Sequence, residues 1–563
     1  MDLKKMIRLL IFLSILYAVY GIEYAPIINI DSGQVRGYKS QLNDGDSIYI
    51  YQGIRYGNAK RFEKAKFVEN WSGIYDAIEK RDACPQPGKY IRTVCDPQRP
   101  PSDAKSMSED CLYLSVYKPE HQPKMYLPVM VWIHGGSFIG GSIFDDVYNP
   151  SYMVSMGNVI VVTINYRLGP FGFLYTEMDN VPGNQGLYDQ ILALQWIHNN
   201  IGHFGGDPNR VTVFGESAGS MSISALILSP LTKGLFTKAI LQSGSTNAYL
   251  GSCEKHKALN KTIGLAQRLN CYSEPYNETA SIECLQSKNV TEILNASTND
   301  LINGRLMIPV YGEKLMPIPP VKALETKQFN HVDIMFGVNR NEGSGFVSQL
   351  VPSIMNPNVK NPNITLPMVK TAIWLMMMIF EKSEKTTQSV IEFYMKQLDE
   401  KSNADDMRII IADVFGDYHL VCPTMLFGEY MSRGLNSTIN TFYSYRLMLP
   451  LSNGAFSGDG WEGVCHGEDV AYLFMVPMNH NAYSKSEIQL SNDMINAWTR
   501  FAWTGHPNAL KNGDKTIEWN EAIDLNDQSS GVSFMALDSN HYEMISNYFR
   551  VKCDQFWKPI IFK

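Results

Sequence analysis

The stretch Gly215-Glu216-Ser217-Ala218-Gly219 is the most informative part of this sequence. Residues 210–214 before it predict a strand, and residues 220–228 after it predict a helix. A serine between two glycines, each two positions away, is typical of a nucleophile elbow, a tight turn that presents the serine hydroxyl at the end of a sheet. Because a chain this long shows the pattern by chance about one time in five, the remaining sequence has to support it.

The sequence around the elbow alternates between strands and helices. Continuous apolar runs at 129–133 and 159–164 are typical of strands buried on both faces. Strands alternating with helices predict an α/β fold with a large, mostly parallel central sheet and helices on both faces. Further strands are predicted at 111–117, 332–336 and 442–445, helices at 187–201 and 488–504, and an opening β-meander at 27–70. Residues 350–420 predict a helical insertion over the sheet edge, where it would roof a substrate gorge.

Length and composition indicate one large globular domain. The chain has 563 residues, 45% of them hydrophobic and 19% charged, which is a core-forming composition. Enzymes of the α/β class reach this length as one domain, and no Pro/Gly/Ser linker or internal repeat divides the chain. We therefore expect residues 22–563 to form a single domain. The net charge of −7 and the lack of a basic cluster argue against a nucleic-acid partner.

The N-terminus predicts a signal peptide. Three basic residues among the first eight precede an apolar run at 9–19, and Val19 and Gly21 suit the −3 and −1 positions of a cleavage site. We expect residues 1–21 to be removed and the mature protein to be secreted. An uncleaved anchor is the less favoured alternative, because the apolar run is too short for a membrane span. The C-terminus carries no anchor signal, so no membrane anchor is expected.

Sequons and cysteines agree with the secretory route. Seven asparagines stand in N-x-S/T sequons: Asn70, Asn260, Asn277, Asn289, Asn295, Asn363 and Asn436. The nine cysteines imply disulfides and at least one unpaired thiol, but their spacing does not give the connectivity. Because no C-x-x-C or H-x-x-x-H pair has metal-ligand spacing, we expect no metal and no cofactor.

His466 is the candidate base. A catalytic serine needs a base, and the base needs an acid that orients it; in enzymes with this elbow the acid follows the serine and the histidine comes last. His466 lies in a glycine-flanked loop after a strand-like run, which suits this role. His480 and His506 resemble surface turns, and His198 and His203 precede the serine.

Glu342 is the candidate acid. It follows the predicted strand at 332–336, so its carboxylate would lie on the same rim of the sheet as the nucleophile. The alternative is an ordinary solvated loop carboxylate.

The stretch His134-Gly135-Gly136-Ser137-Phe138 is the candidate oxyanion loop. It follows a buried strand and matches the H-G-G type of loop whose N–H groups stabilise the oxyanion of acyl transfer. Glycine lets the backbone approach the substrate oxygen without a Cβ in the way. The N–H of Ala218, directly after Ser217, would complete the site. An ordinary glycine turn is the alternative.

These motifs, in this order, resemble the type-B carboxylesterase family, which includes the cholinesterases. The resemblance covers nearly the whole mature chain and includes residues 52–56, 109–114, 132–138, 165–167, 183–190, 199–208, 241–245 and 498–507. It implies the α/β-hydrolase fold and a Ser217–His466–Glu342 triad. It also implies an oxyanion hole formed by the N–H groups of Gly136, Ser137 and Ala218, with Ser243 supporting the acid. The chain departs from the family at Ser137, which replaces a third glycine and adds a side chain beside the hole.

The resemblance also implies the cysteine pairing. Cysteines at matching positions correspond to the disulfides Cys84–Cys111, Cys271–Cys284 and Cys422–Cys553, which leaves Cys95, Cys253 and Cys465. Cys465 adjoins the candidate base, and we expect it to be a small buried residue that fills space rather than a nucleophile.

The substrate pocket departs from the cholinesterase pattern. Glu216 and Phe346 are retained, but Cys95 stands where the choline-binding tryptophan is expected, and residues 305–309 are aliphatic. Losing that cation–π contact costs about 1–2 kcal/mol. The sequence therefore favours a general serine carboxylic ester hydrolase acting on small-molecule esters. A cholinesterase acting on choline esters is the alternative, and a non-catalytic adhesion or binding relative is a third. The sequence does not predict the oligomeric state.

Overall fold

The central strands form an eleven-stranded mixed sheet. The computed structural model describes residues 22–562 except 44, 88–105, 122–124, 298–305, 351, 357–358, 361, 436–438, 453–459, 479, 509, 528–529 and 540. The strands are β1 Ile28–Ile30, β2 Gly33–Arg36, β3 Tyr38–Gln41, β4 Ser47–Arg55, β5 Gly57–Asn58, β6 Lys66–Phe67, β7 Ile74–Asp76, β8 Tyr113–Pro119, β9 Leu127–Ile133, β10 Ile160–Ile164, β11 Gly206–Glu216, β12 Lys238–Gln242, β13 Cys253–Glu254, β14 Val310–Tyr311, β15 Asp333–Asn339, β16 Phe442–Leu447, β17 Leu510–Asn512, β18 Lys515–Ile517, β19 Phe534–Leu537 and β20 Glu543–Ile545.

The sheet order is β20-β19-β16-β15-β12-β11-β9-β10-β8-β4-β3. The seven strands from β10 to β19 run parallel, and antiparallel strands flank them on both sides. The prediction of a mostly parallel sheet is confirmed. Because parallel strands end at the same edge, the loops after β9, β11, β15 and β16 lie on one rim.

Helices cover both faces of the sheet, as predicted. The α-helices are Ser151–Gly157, Gly169–Phe173, Gln185–Asn200, Ala218–Leu228, Lys255–Arg268, Glu278–Ser287, Val290–Ser297, Pro320–Glu325, Ser344–Leu350, Pro352–Met355, Leu366–Ile379, Glu384–Met395, Ala404–Gly416, Cys422–Gly434, Glu468–Phe474, Lys485–Thr504 and Lys558–Ile561. Short 3-10 helices are Asp146–Tyr148, Ile201–Phe204, Pro230–Thr232 and His480–Ala482, and π-helical turns are Asp417–Val421 and Arg550–Trp557.

Two hydrophobic cores lie on opposite faces of the sheet. Val129, Val131 and Ile133 of β9 pack into one core, while Met130 and Trp132 pack into the other. Successive side chains of a strand point to opposite faces, which explains why the continuous apolar runs predicted doubly buried strands.

The predicted helical insertion is present between residues 350 and 420. Its last helix, Ala404–Gly416, continues through the π-helical turn Asp417–Val421 into Cys422–Gly434. In the described part of the chain this continuous helix, Ala404–Gly434, is the one segment with the length and apolar composition of a membrane span. Its apolar window is 89% buried inside the protein, so it is a core helix.

The three disulfides implied by the resemblance are present: Cys84–Cys111, Cys271–Cys284 and Cys422–Cys553. Cys465 is buried, as expected. The expectation that it only fills space is wrong, because it is disulfide-bonded. Its neighbour His466 therefore sits on a cross-linked loop. Cys253 is a free, buried thiol. Cys95 lies outside the described residues.

Six of the predicted sequon asparagines are exposed: Asn70, Asn260, Asn277, Asn289, Asn295 and Asn363. The seventh, Asn436, and the predicted signal peptide at 1–21 lie outside the described residues.

Candidate active site

The turn between β11 and the helix Ala218–Leu228 carries Ser217. This residue has φ 56° and ψ −123°, a conformation that is rare for a residue with a side chain. A Cβ added at Gly215 or Gly219 would lie only 2.4 Å or 2.0 Å from the carbonyl oxygen of Ile133. The elbow therefore packs backbone against backbone on the end of β9, which explains the two glycines of the motif.

Glu342 lies in the loop after β15 with its side chain fully buried. Its Oε1 accepts hydrogen bonds from Ser243 Oγ at 2.5 Å and from the Asn339 N–H at 2.6 Å. Its Oε2 accepts the hydrogen bond of His466 Nδ1 at 2.6 Å. The structure thus brings together the predicted acid, the predicted base and the predicted supporting serine.

The acid loop and the histidine loop are bonded directly to each other. Asn339 Nδ2 donates to the Cys465 carbonyl at 2.7 Å, and the Asn341 N–H donates to the Val464 carbonyl at 2.9 Å. Because these contacts join the segment directly before Glu342 to the segment directly before His466, they fix the position of Glu342 relative to His466.

The second ring nitrogen of His466 faces Glu216. His466 Nε2 lies 2.9 Å from Glu216 Oε1, so both nitrogens of the buried imidazole meet a carboxylate. Burial alone lowers the pKa of His466, but the charges of Glu216 and Glu342 outweigh it and hold the pKa well above its ordinary value of 6.5. Glu216, predicted as a pocket residue, is therefore also an ion-pair partner of the candidate base.

The oxyanion loop lies against the elbow. A Cβ added at Gly135 would lie 3.0 Å from the Ser217 Cβ, and one at Gly136 would lie 2.2 Å from the Gly140 carbonyl oxygen. Gly136 has φ 105°, which favours glycine, and Ser137 follows with φ 55°. In the part of the chain that the structure describes, no protein acceptor takes the N–H of Gly136, Ser137 or Ala218. These three donors remain available to a substrate oxygen.

His134 supports this loop. Its ring stacks on Tyr166 with centroids 4.5 Å apart, and the Tyr166 hydroxyl donates to the His134 carbonyl at 2.8 Å. Burial lowers the pKa of His134 to about 4, so the ring is neutral at physiological pH. The ring nitrogen Nδ1 lies 2.9 Å from the Gly135 carbonyl oxygen, so His134 is a neutral support for the loop.

Aromatic rings form a wall beside the histidine. The Phe346 ring lies 5.1 Å from the His466 ring and stacks on Phe415 at 4.9 Å. Of the predicted acyl segment, Leu306, Met307 and Ile308 are buried, whereas Arg305 lies outside the described residues.

Two residues that form part of the candidate active site were not predicted from the sequence. Asn339 holds both Glu342 and Cys465, and its place at the end of β15, three residues before the acid, is a local signal that could have identified it. Phe415 lies in the insertion, 73 residues after Glu342, and no local pattern marks its contact with Phe346.

Comparisons with known proteins identify the family of this chain. Residues 24–557 match the model of the Carboxylesterase family. Acetylcholinesterase-1 of Trittame loki is 32% identical over 95% of this chain and 94% of its own length. Cholinesterase of Mus musculus is 31% identical (94% and 86%), and acetylcholinesterase of Bungarus fasciatus is 33% identical (87% and 80%). The chain belongs to the carboxylesterase family, with the α/β-hydrolase fold, and is a carboxylic ester hydrolase.

Proposed function

We propose that this protein is a secreted serine esterase that forms an acyl-enzyme on Ser217. The observation that carries the proposal is the hydrogen bond of 2.6 Å between Glu342 and His466, on the same rim as the strained turn that holds Ser217. A buried carboxylate that fixes the tautomer of a histidine beside an elbow serine is the arrangement that activates a hydroxyl.

In the proposed mechanism, Ser217 Oγ attacks the ester carbonyl carbon and His466 takes the hydroxyl proton. The carbonyl oxygen becomes an oxyanion that accepts hydrogen bonds from Gly136, Ser137 and Ala218. Collapse of this intermediate breaks the bond to the alkoxy oxygen, and His466 returns its proton to the leaving alcohol. Water, which gives its proton to His466, then attacks the carbonyl carbon of the acyl-enzyme. This step releases the carboxylic acid product and restores Ser217. Glu342 keeps the imidazole oriented and stabilises its charged form.

Uncharged and aliphatic esters are the proposed substrate class. The buried residues Leu306, Met307 and Ile308 are aliphatic, and a glycine, Gly345, stands beside Phe346. A choline headgroup needs an aromatic face, and Cys95 stands where the sequence places the choline-binding tryptophan of cholinesterases.

A cholinesterase is the second candidate, because relatives named acetylcholinesterase share about a third of the sequence and because Glu216 places a carboxylate at the site. The ratio of acetylthiocholine to phenyl acetate turnover separates the two. We expect phenyl acetate to be preferred, and a strong preference for acetylthiocholine would establish the second candidate instead.

We also propose that residues 22–563 form one secreted, glycosylated domain. Three disulfides and six exposed sequon asparagines support this. When the protein is expressed in secreting cells, the form found in the culture medium should begin at Ile22. Enzymatic removal of N-glycans should lower its mass. Retention in the cell with residues 1–21 attached would contradict it.

The catalytic proposal is tested by p-nitrophenyl acetate hydrolysis with wild type, Ser217→Ala and Ser220→Ala. Ser220 is a buried serine three residues further along the same helix, and its Oγ donates to the Gly244 carbonyl. We expect Ser217→Ala to lose at least about a thousandfold in kcat/KM and Ser220→Ala to stay near wild type. Wild-type turnover by Ser217→Ala would refute the proposal.

A further inference from the structure

The helix Leu366–Ile379, which we call the surface helix, is apolar except for Lys370 and Thr371. Val369, Ile373, Met376 and Met377 are buried against the protein. The opposite side exposes five large apolar residues: Met368, Trp374, Leu375, Met378 and Ile379. A helix with so few polar residues normally lies inside a protein, and the helix Ala218–Leu228 is fully buried here. The outer side of the surface helix therefore needs an explanation.

These five residues form one strip, with the exposed Thr371 as the polar residue within it. At about 100° per residue, they fall on the same half of the helix, where Lys370 is the one charged residue. Each side chain is 38–51% exposed. Together they present roughly 450 Å² of apolar surface, a size at which the largest patch of a soluble protein is often functional.

We propose that the surface helix docks the enzyme on a lipid surface. The strip is too small for a stable pair of copies, since a standard interface buries about 800 Å² on each partner. It also offers few polar groups that could set the register of a protein partner. A lipid surface needs no such complementarity, and an exposed face of Trp, Leu, Ile and Met is the side that interfacial helices bury among acyl chains.

The charges at the edges of the strip favour an anionic lipid. Lys370 lies one helical turn before Trp374, so a cation and an indole lie together at one edge of the strip. Basic and aromatic residues are paired in this way at membrane interfaces. Of the neighbouring carboxylates, Glu381 pairs with Lys257 at 2.7 Å, whereas Glu384 accepts the indole N–H of Trp374 at 3.3 Å and keeps its negative charge. The exposed Lys370 is the cation of the strip that would meet lipid phosphate.

The surface helix is also close to the catalytic histidine. Phe380, directly after Ile379, is buried and lies 5.9 Å from Phe415, whose ring stacks on Phe346 beside His466. Docking would place the aromatic wall of the site near esters dissolved in lipid. This last step rests on the proposed function, whereas the docking itself does not.

The test is co-sedimentation of the full mature chain with vesicles of phosphatidylcholine and phosphatidylglycerol. The variant Leu375→Gln/Met378→Gln removes the centre of the strip, and Met125→Gln/Leu231→Gln changes two residues of similar exposure elsewhere. We expect wild type and the control pair to bind and the strip variant to bind at least tenfold more weakly. The emission of Trp374 should shift to the blue on binding, and Trp374→Phe should lose that shift.

Two controls separate the docking proposal from the catalytic proposal. Hydrolysis of p-nitrophenyl acetate in solution should be unchanged in the strip variant, and Ser217→Ala should still bind vesicles, so a failure of the catalytic proposal would leave this result intact. The docking proposal is overturned if wild type does not sediment with vesicles or if the strip variant binds equally well. It is also overturned if light scattering shows a dimer that only the strip variant dissociates, because a second copy would then cover the strip.

Discussion

Glu216 Oε1 lies 2.9 Å from His466 Nε2, the nitrogen that receives the proton of Ser217 in the proposed mechanism. The other nitrogen is bonded to Glu342 at 2.6 Å, so the ring is placed between two carboxylates. This arrangement stabilises the imidazolium that forms during acyl transfer. The two carboxylates also hold the pKa of His466 well above its ordinary value. Because a general base acts only when it is neutral, they raise the pH at which His466 can act as one.

Glu216→Gln should shift the pH dependence of the enzyme. The Glu216 charge helps to hold the pKa of His466 well above 6.5, and kcat/KM rises as the histidine loses its proton. Removing that charge lowers the pKa, so the acid limb of the kcat/KM profile should move to lower pH by about one unit. The profile is measured with a neutral ester, and Glu254→Gln, which changes an exposed carboxylate, is the control. An unmoved acid limb would show that Glu216 does not act on the base.

Glu342→Gln should abolish most of the activity without unfolding the protein. The amide keeps the shape of the side chain but removes the charge that stabilises the imidazolium, and the comparable change in a serine protease costs about 10⁴ in kcat. We expect kcat/KM to fall by about 10³–10⁴. Ser243→Ala, which removes one of the donors to Glu342 Oε1, should cost only about tenfold. Activity of Glu342→Gln within tenfold of wild type would contradict the assigned role.

Gly219→Ala should prevent stable folding. The new Cβ would lie 2.0 Å from the Ile133 carbonyl oxygen, and backbone on both sides leaves no flexible group to move. The cost should exceed about 3 kcal/mol. Gly202→Ala is the matched control, because a Cβ at that glycine meets nothing within 4 Å. Thermal unfolding of both variants gives the comparison, and equal melting temperatures would refute the close contact.

His419→Phe should make the fold less sensitive to acid. The ring is buried beside Phe415 and Phe380, and neither of its nitrogens has a hydrogen-bond partner among the described residues. Burial, with a smaller effect of Lys382, lowers the pKa of His419 to about 3. Between pH 6.5 and 3 the unfolded chain therefore binds the extra proton, and stability falls as the pH falls.

The phenylalanine does not titrate, so it removes this loss in the free energy of unfolding, which is on the order of 1–3 kcal/mol between pH 7 and 4. Melting temperatures across that interval should fall less for His419→Phe than for wild type. Part of the fall should remain, because His134 has a pKa lowered to about 4. His198→Phe, at an exposed position, is the control. A fall as steep as that of wild type would argue against a proton effect at His419.

The parts of the fold that were predictable have local signals. Strand β9 is continuously apolar because both of its faces are buried, and the glycines beside Ser217 are required by the contact with Ile133. Glu342 and His466 follow the ends of strands and keep the order of the triad. The three confirmed disulfides came from the family resemblance, since spacing alone leaves the pairing open.

The rest depends on contacts between distant segments. The approach of Glu216 to His466 joins residues 250 positions apart, and the disulfide state of Cys465 has no counterpart in its local sequence. A helical insertion was predicted at 350–420, but because apolar residues occur on both sides of the surface helix, its pattern did not indicate which side faces solvent.

The reactivity of Ser217 is measured by labelling the intact protein with a fluorophosphonate and mapping the adduct by mass spectrometry. A fluorophosphonate is attacked by an activated serine with loss of fluoride, and it marks the nucleophile whatever the natural ester is. We predict one adduct per chain, on Ser217, and no adduct in Ser217→Ala. An adduct on a different residue, or an unlabelled wild-type protein that is folded, would contradict the assignment of Ser217 as the nucleophile.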